Sequence, residues 1–317
     1  MRGVKAAEGR AARNAKVGLN VSASAFFQHT VAGPAIFAGI GLHTGEHVRV
    51  AIRPAAPNAG ISFVRTDVRG DNVVRVAPEA VTKTQLGTVI SNDAGVSVST
   101  IEHLMAAMAA LAIDNAIVEL DGPEVPIVDG SAEPFIQILD RAGRRKQEAA
   151  RRYIEILSDI EVVDGDKRAT LTPSEQFEVA FEIAFPSRAI GRQRVDLVID
   201  EESFREELAD CRTFGFLHEV EALRAMGLAQ GGSMENAVVI DGDRVLNPEG
   251  LRRPDEFVRH KALDAVGDLY VLGLPIIGRF EGILAGHGLN NALVRELQKN
   301  PRAWRIRRDQ PALAEAV

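Results

Sequence analysis

Residues 256–269 read EFVRHKALDAVGDL, and this stretch predicts the helix around which the rest of the chain is organised. At the helical period its apolar side chains share a packing face, made by Phe257, Leu263, Val266 and Leu269. His260, Asp264 and Asp268 follow at intervals of four on another stripe. A neutral imidazole and a carboxylate so spaced can bind one divalent metal, with Asp268 as an outer acceptor. A solvated helix face with the same spacing is an equally weighted alternative at this point.

The composition limits the class of protein. A chain of 317 residues can form two domains, and 46% hydrophobic with 26% charged residues is typical of a globular protein. The sequence contains no run of about 18 apolar residues, so no membrane-spanning helix is predicted. The net charge of −7 gives no reason to expect a nucleic acid partner. Cys211 is the only cysteine, so an intramolecular disulfide and a cysteine-based zinc site are excluded, and any metal must bind His, Asp or Glu.

The chain divides into two halves, each running from strands to a helix, which predicts two domains of similar build. The expected boundaries are a flexible basic tail at 1–30, domain I at 31–145, a polar linker at 146–152, domain II at 153–300 and a C-terminal tail at 301–317. A strand–helix–strand insertion is expected at about 216–239. Residues 1–30 lack the continuous apolar core of a secretory signal, so a cytoplasmic location is the default expectation.

Residues 99–111 give the strongest helix signal of the first half. Ser99 and Glu102 have the spacing of a capping box, so Glu102 could merely cap the helix while His103 faces solvent. The same Glu–His pair could instead place a general base beside a metal ligand. Both interpretations stay open on this segment alone.

Two further histidines lie beside glycines. His43 follows Gly41 in a glycine-rich turn that is not a phosphate-binding loop, and by itself it is most simply an ordinary loop residue. His287 lies between two glycines, directly before a helix that Asn290 or Asn291 is expected to start. Because flanking glycines remove steric cover, His287 is expected to face a cavity.

Six separated segments occur in the order and spacing of one protein family: STIEHL (99–104), PEVPI (123–127), DGSAEPF (129–135), RTFGF (212–216), FVRHKALDAVGDL (257–269) and GHGLNNAL (286–293). Over about residues 30–300 the chain resembles the UDP-3-O-acyl-N-acetylglucosamine deacetylases, the zinc amidases of lipid A biosynthesis in Gram-negative bacteria. The resemblance implies two α+β domains of similar topology, each a sheet with helices. They form a β-α-α-β sandwich with the active site between the domains.

The resemblance also implies roles for the polar residues of these segments. It assigns the zinc ligands to His103, His260 and Asp264. Glu102 matches the general base and His287 the general acid, a division of roles that predicts a bell-shaped pH profile. The remaining catalytic positions are Thr213, which helps to hold the oxyanion, Lys261, and Asp268, which orients His287.

Substrate contacts and partners follow from the same resemblance. The substrate-binding positions are Phe214, Phe216, Gly232, Lys261 and His43, with Phe214 and the insertion matching a passage for the 3-O-acyl chain; from composition alone these aromatics could equally be core. The implied reaction removes the N-acetyl group from UDP-3-O-acyl-N-acetylglucosamine with water, the committed step of lipid A biosynthesis. We expect a Zn²⁺ cofactor, no nucleic acid, at most peripheral association with the inner membrane, and a monomer.

Leu284 occupies a position where a lysine is common in the family, which leaves open how the UDP phosphates are held. Two other functions compete with the deacetylase hypothesis. A zinc hydrolase of another class, such as a peptidase, would use a similar ligand set. A non-catalytic binding protein with a structural metal would have no open coordination position.

Overall fold

The computed structural model describes residues 26–308. Its α-helices are α1 (Glu102–Ala110), α2 (Glu133–Ala142), α3 (Glu201–Glu207), α4 (Leu217–Ala225), α5 (Glu256–Tyr270) and α6 (His287–Lys299). The strands up to residue 150 are β1 (Phe27–Val31), β2 (Ala35–Ile40), β3 (His47–Pro54), β4 (Ile61–Arg65), β5 (Val73–Arg75), β6 (Val81–Lys83), β7 (Val89–Ser91), β8 (Ser97–Val98), β9 (Ala116–Leu120) and β10 (Arg144–Ala150). The later strands are β11 (Arg152–Ile156), β12 (Ile160–Asp164), β13 (Lys167–Thr172), β14 (Phe177–Ala184), β15 (Arg192–Val198), β16 (Phe214–Phe216), β17 (Val238–Asp241), β18 (Arg244–Val245), β19 (Ile276–Ile283) and β20 (Trp304–Arg308).

The first half is built on a five-stranded sheet in the order β2-β3-β9-β4-β5. Val48, Val50 and Ile52 alternate with more exposed residues along β3, so one face of the strand is buried. A small sheet, β6-β7-β8, lies beside it in the chain and leads directly into α1.

The second half is built on a seven-stranded sheet. Its main path is β12-β13-β19-β11-β20, and β14 pairs with both β19 and β15. A hairpin joins β12 to β13, with Asp164 opposite Lys167 at its end. The predicted α+β class with two sheet-rich halves is therefore confirmed. Within residues 26–308, no helix combines the length and apolarity needed to cross a membrane.

Three segments are more ordered than the sequence predicts. Residues 146–150 of the expected linker belong to β10, which pairs antiparallel with β1, and so residues 27–30 of the expected tail are in a strand. Residues 304–308 of the expected C-terminal tail form β20, which pairs with β11. Backbone pairing explains all three, because charged side chains are compatible with strands at the margins of a sheet. The parts of the predicted tails at 1–25 and 309–317 lie outside the described residues.

Helix α5 is buried on nearly all sides and packs most closely against α1. Every α5 residue except Arg259 and Lys261 is buried, so the solvated-face alternative for this helix is wrong. The two helices approach closely at Gly267, where a Cβ atom would lie 2.0 Å from the Glu102 carbonyl oxygen. This contact joins the second half of the chain to the first residue of α1.

We expect Gly267→Ala to destabilise the protein despite the better helix propensity of alanine. Propensity alone would add about 1 kcal/mol to the free energy of unfolding. The new methyl group would meet backbone atoms of Glu102 that cannot rotate away, and such overpacking costs about 1–3 kcal/mol. Urea unfolding measures the net change in the free energy of unfolding. Gly33→Ala is the matched control, because a Cβ there would meet only Ala142 O at 3.9 Å; an equal or higher midpoint for Gly267→Ala would contradict the packing argument.

Candidate metal centre and active site

Helices α1 and α5 bring together three buried side chains that could hold a metal ion. His103 comes from α1, and His260 and Asp264 come from α5. One ligand atom from each lies within 4.8 Å of the others. His103 Nε2 and His260 Nε2 are each 3.4 Å from Asp264 Oδ1. The sequence prediction that both halves contribute to one site agrees with this geometry.

The hydrogen bonding of these residues fits a cation. His260 Nδ1 lies 3.1 Å from the Cys211 carbonyl, which can only accept, so Nδ1 carries the proton and Nε2 keeps its lone pair. Burial lowers the pKa of His260 to about 3, although Asp264 opposes this, so the ring is neutral. Asp264 Oδ1 is buried without a hydrogen-bond partner among the described residues. Acceptor atoms converging in this way are what a divalent metal requires, and the three residues form a possible His–His–Asp metal site.

Lys261 neutralises the other oxygen of the same carboxylate. Its Nζ lies 2.5 Å from Asp264 Oδ2. Burial by itself would raise the pKa of Asp264, but the neighbouring cationic groups outweigh burial and hold the pKa well below its usual range. Asp264 is therefore a carboxylate, with one oxygen on Lys261 and the other facing the two histidines.

Helix α1 begins at Glu102. The interpretation that Glu102 only caps the helix is wrong, and so is the interpretation that His103 faces solvent. Ser99 does not cap the helix, because its hydroxyl donates to the Pro123 carbonyl. The Glu102 carboxylate accepts a hydrogen bond from the Thr88 backbone N–H at 3.0 Å. His103 is buried and does not face solvent. Burial raises the pKa of Glu102, while His287 and His103 oppose that rise.

His287 is the first residue of α6, so the prediction that Asn290 or Asn291 starts this helix is wrong. Its Nδ1 lies 2.9 Å from Asp268 Oδ2, and its Nε2 lies 3.8 Å from Asp264 Oδ2. Burial disfavours the charged ring, but the carboxylates of Asp268 and Asp264 outweigh burial and raise the pKa of His287 to about 9. His287 is thus a protonated group whose Nε2 faces the Asp264 carboxylate.

The predicted cavity lies beside His287. It has a volume of about 710 Å³ and lies between the N-terminal end of α6 and the β12–β13 hairpin. Thr84, Lys167, Leu284 and Gly288 are among its lining residues. Lys167 is the only lysine or arginine in that lining, and Leu284 contributes an apolar wall.

The segment 211–216 is attached to α5 by polar contacts. Arg212 is buried, and its Nε donates to Glu256 at the first residue of α5 at 2.9 Å. Thr213 follows, with its N–H donating to Gly130 O and its carbonyl accepting from Val238 N, both at 2.8 Å. Burial raises the pKa of the Cys211 thiol, so this thiol stays protonated. The backbone carbonyl of the same residue accepts the hydrogen bond from His260 Nδ1.

Phe214 and Phe216 extend an aromatic cluster from the metal site. The Phe214 ring lies 5.0 Å from Phe257 and 6.3 Å from His260, measured between ring centroids. Phe185 lies 5.8 Å from Phe214 and 5.9 Å from Phe216. Both predicted aromatic positions are only half-buried, so they are not sealed in the core.

The loop that carries His43 is fixed by a buried carboxylate. Glu124 accepts hydrogen bonds from the backbone N–H of His43 and from Thr44, at 2.9–3.1 Å. His43 Nε2 lies 3.1 Å from Leu86 O, and its own carbonyl accepts from Gln230 N in the insertion. Gly232 lies near this contact, since a Cβ there would be 3.6 Å from Leu42 Cδ1. Two of the predicted substrate-binding positions are thereby brought close together.

Sequence reasoning misses several residues of the site. Thr88 bonds to both Glu102 and Asp268, yet nothing in its surroundings distinguishes it from an ordinary strand threonine. Glu124 and Arg212 lie inside recognised segments, but their buried partners are distant in the chain. A buried charged side chain needs hydrogen-bonding partners, and this requirement explains the contacts of both Glu124 and Arg212. Their position in those segments is the signal that could have singled them out.

Comparison with known proteins identifies the family. The profile for UDP-3-O-acyl N-acetylglycosamine deacetylase matches residues 28–299. The chain belongs to this family. The deacetylase of Phenylobacterium zucineum (strain HLK1) is 73% identical over 292 residues, which are 92% of this chain and all of that protein. Family members named UDP-3-O-acyl-N-acetylglucosamine deacetylase from Myxococcus xanthus (strain DK1622) and Neisseria meningitidis serogroup C are 48% and 47% identical, over 89% and 87% of this chain and 90% and 92% of theirs.

We expect Asp264→Asn to remove the metal from the purified protein. The amide keeps the shape of the side chain but loses the negative charge that faces both histidines, so bound metal should fall from about one ion per chain to a small fraction. Elemental analysis after dialysis measures this. Asp140→Asn, on the exposed face of α2, is the control and should keep its metal. Full occupancy in Asp264→Asn would exclude Asp264 as a ligand.

Proposed function

We propose that this protein hydrolyses the N-acetyl group of UDP-3-O-acyl-N-acetylglucosamine, releasing acetate in the committed step of lipid A biosynthesis. Membership of the deacetylase family supports the reaction class. The observation that carries the proposal is the convergence of a metal-binding triad with two proton-transfer groups of opposite character. Glu102 and His287 come from separate helices and flank that triad.

Zinc is the metal we propose for His103, His260 and Asp264. Two imidazoles and one carboxylate are a ligand set of catalytic zinc sites, which keep a fourth position open. Zinc bound there would supply Lewis-acid chemistry, polarising the acetamide carbonyl and lowering the pKa of water. The single buried thiol of the chain takes no part, because the Cys211 side chain bonds to Glu207 and Asp210.

Glu102 and His287 divide the proton transfers. Glu102, as a carboxylate, accepts a proton from the attacking water, and the Thr88 N–H holds that carboxylate in place. His287, held by Asp268, donates a proton to the departing 2-amine as the C–N bond breaks. Thr213 donates a hydrogen bond to the oxyanion formed in between. Lys261 keeps Asp264 ionised throughout.

The substrate would extend in two directions from the acetamide. The half-buried aromatics Phe214 and Phe216 offer an apolar surface for the 3-O-acyl chain. The loop of His43, which accepts a hydrogen bond from Gln230 of the insertion, would border this passage together with Gly232. The cavity of about 710 Å³ beside His287 has neither Phe214 nor Phe216 in its lining, and we propose that it takes the nucleotide. With Leu284 apolar, Lys167 is the cation that we propose faces the diphosphate.

The proposed cellular setting follows from the substrate. A lipid-tailed sugar nucleotide made in the cytoplasm would require a cytoplasmic enzyme, in at most peripheral contact with the inner membrane. We propose a monomer, because one chain supplies all the residues of the site. No nucleic acid partner is proposed for a chain with a net charge of −7.

The rival functions are separated by substrate. A zinc peptidase would cleave peptide amides, whereas the proposed enzyme would release acetate only from the acylated sugar nucleotide. A binding protein with a structural metal would release none, and chelation followed by zinc return would change nothing in its activity. Acetate release that depends on zinc, measured across a series of acyl lengths, tests all three at once.

We expect Glu102→Ala to retain its metal yet lose at least about 100-fold in kcat, because general acid–base catalysis contributes roughly 10²–10⁴-fold. His287→Ala should lose a comparable factor for the same reason. Single-turnover acetate release with metal content measured on the same samples gives the result. A loss of only a few-fold with metal retained would remove the base assignment, and a near-normal rate in His287→Ala would remove the acid assignment.

The rate should depend on pH in a bell shape whose alkaline limb reports His287. The charged ring is the acid, so the rate falls as pH rises through its pKa of about 9. Asp268 raises that pKa, and Asp268→Asn removes the negative charge, so the alkaline limb should move to lower pH. The pH dependence of kcat measures the shift. Asp140→Asn should leave the limb in place, and an unmoved limb in Asp268→Asn would contradict the link between these residues.

A further inference from the structure

We propose that Thr88 is a positioning residue for proton transfer, holding Asp268 and, through Asp268, His287. The inference rests on the proposed function, because His287 is taken as the acid. Thr88 precedes β7, is 2% exposed, and comes from the first half of the chain. None of the six recognised segments contains it.

Every polar group of Thr88 has a partner at the active site. Its N–H donates to Glu102 Oε2 at 3.0 Å, and its carbonyl accepts from Ile101 N at 3.4 Å. Its hydroxyl donates to Asp268 Oδ1 at 2.6 Å. One residue therefore contacts the carboxylate of the base and the carboxylate that orients the acid.

Asp268 receives donors from both halves of the chain. His287 Nδ1 and Asn290 Nδ2 each lie 2.9 Å from its Oδ2, and both belong to α6. Thr88 supplies the hydrogen bond to Oδ1. A short bond of this kind to a buried carboxylate is of the strong, charge-assisted type.

The position of the Thr88 hydroxyl matters because a carboxylate turns easily about its last torsion. That torsion is broad and roughly two-fold, so donors on one oxygen alone do not fix the plane of the group. A donor on each oxygen fixes the plane of the carboxylate. If the Asp268 plane turns, the His287 ring that it holds is displaced, and misplacement by about 1 Å can cost roughly 100-fold in rate.

The substitution that tests this role leaves the backbone contacts in place. Thr88→Val has nearly the same shape but no hydroxyl, whereas Thr88→Ser keeps the hydroxyl. We expect Thr88→Val to lower kcat by about 10- to 100-fold with KM within about two-fold, and Thr88→Ser to restore kcat to within about three-fold of the unchanged protein. Thr82→Val is the matched control, because Thr82 is exposed on β6 of the same small sheet and bonds only to Ser91.

A double substitution tests the route through Asp268. In an Asp268→Ala background the hydroxyl of Thr88 has lost its partner, so Thr88→Val should change kcat by less than about two-fold. A full additional loss in that background would overturn the proposal. So would an unchanged kcat in Thr88→Val, a change in KM alone, or equal losses in the valine and serine variants. Should Thr88→Val not fold, as judged by urea unfolding, Thr88→Ala carries the same test.

A measurement without substrate separates this proposal from the proposed function. In proton NMR spectra of the zinc-loaded protein, the Nδ1 proton of His287 bonded to Asp268 is identified by its loss in His287→Ala. We expect its exchange with water to be faster in Thr88→Val by at least about ten-fold and unchanged in Thr88→Ser, since a mobile acceptor protects it less. If the protein releases no acetate, this result still decides the role of Thr88. Equal exchange in all forms would overturn it.

Discussion

The close approach of α1 and α5 at Gly267 is the constraint on which the rest of the molecule depends. No side chain separates the two helices there, so the backbone of Glu102 lies directly against α5. This spacing lets His103 reach a point that His260 and Asp264 already face. A wider separation would leave each half with an incomplete set of ligands. Because α5 is buried on nearly all sides, its other neighbours hold it against α1.

Because the proposed ligands come from both halves, metal binding would be linked to the packing of the halves. A metal that binds only the assembled triad would stabilise the assembled state, and by linkage the assembled state would bind that metal more tightly than the unassembled one. Hydrogen bonds add to this coupling without metal. The bond from Thr88 to Asp268 and the bond from Tyr270 to Ile113 O both cross between the halves. The site is therefore also part of the interface between the halves.

The sequence predicts local features of this protein better than distant ones. His260, Asp264 and Asp268 could be assigned to one stripe because their spacing is a property of a single helix. That His103 joins them followed only from family resemblance, since no local pattern encodes a contact across 157 residues. The capping-box prediction was wrong for the same reason, because the Glu102 carboxylate bonds to Thr88, which lies outside α1 and just before β7. Strands β10 and β20 were missed because the charged residues that dominate both segments look like a linker or a tail.

The buried thiol of Cys211 has a practical consequence for measurements on the molecule. It is the only cysteine of the chain, it is inaccessible, and burial keeps it in the unreactive protonated form. A thiol-directed dye would therefore react with cysteines introduced on the surface of either half and not with Cys211. Pairs of such dyes can report the distance between the halves while the native thiol and the carbonyl that supports His260 stay untouched.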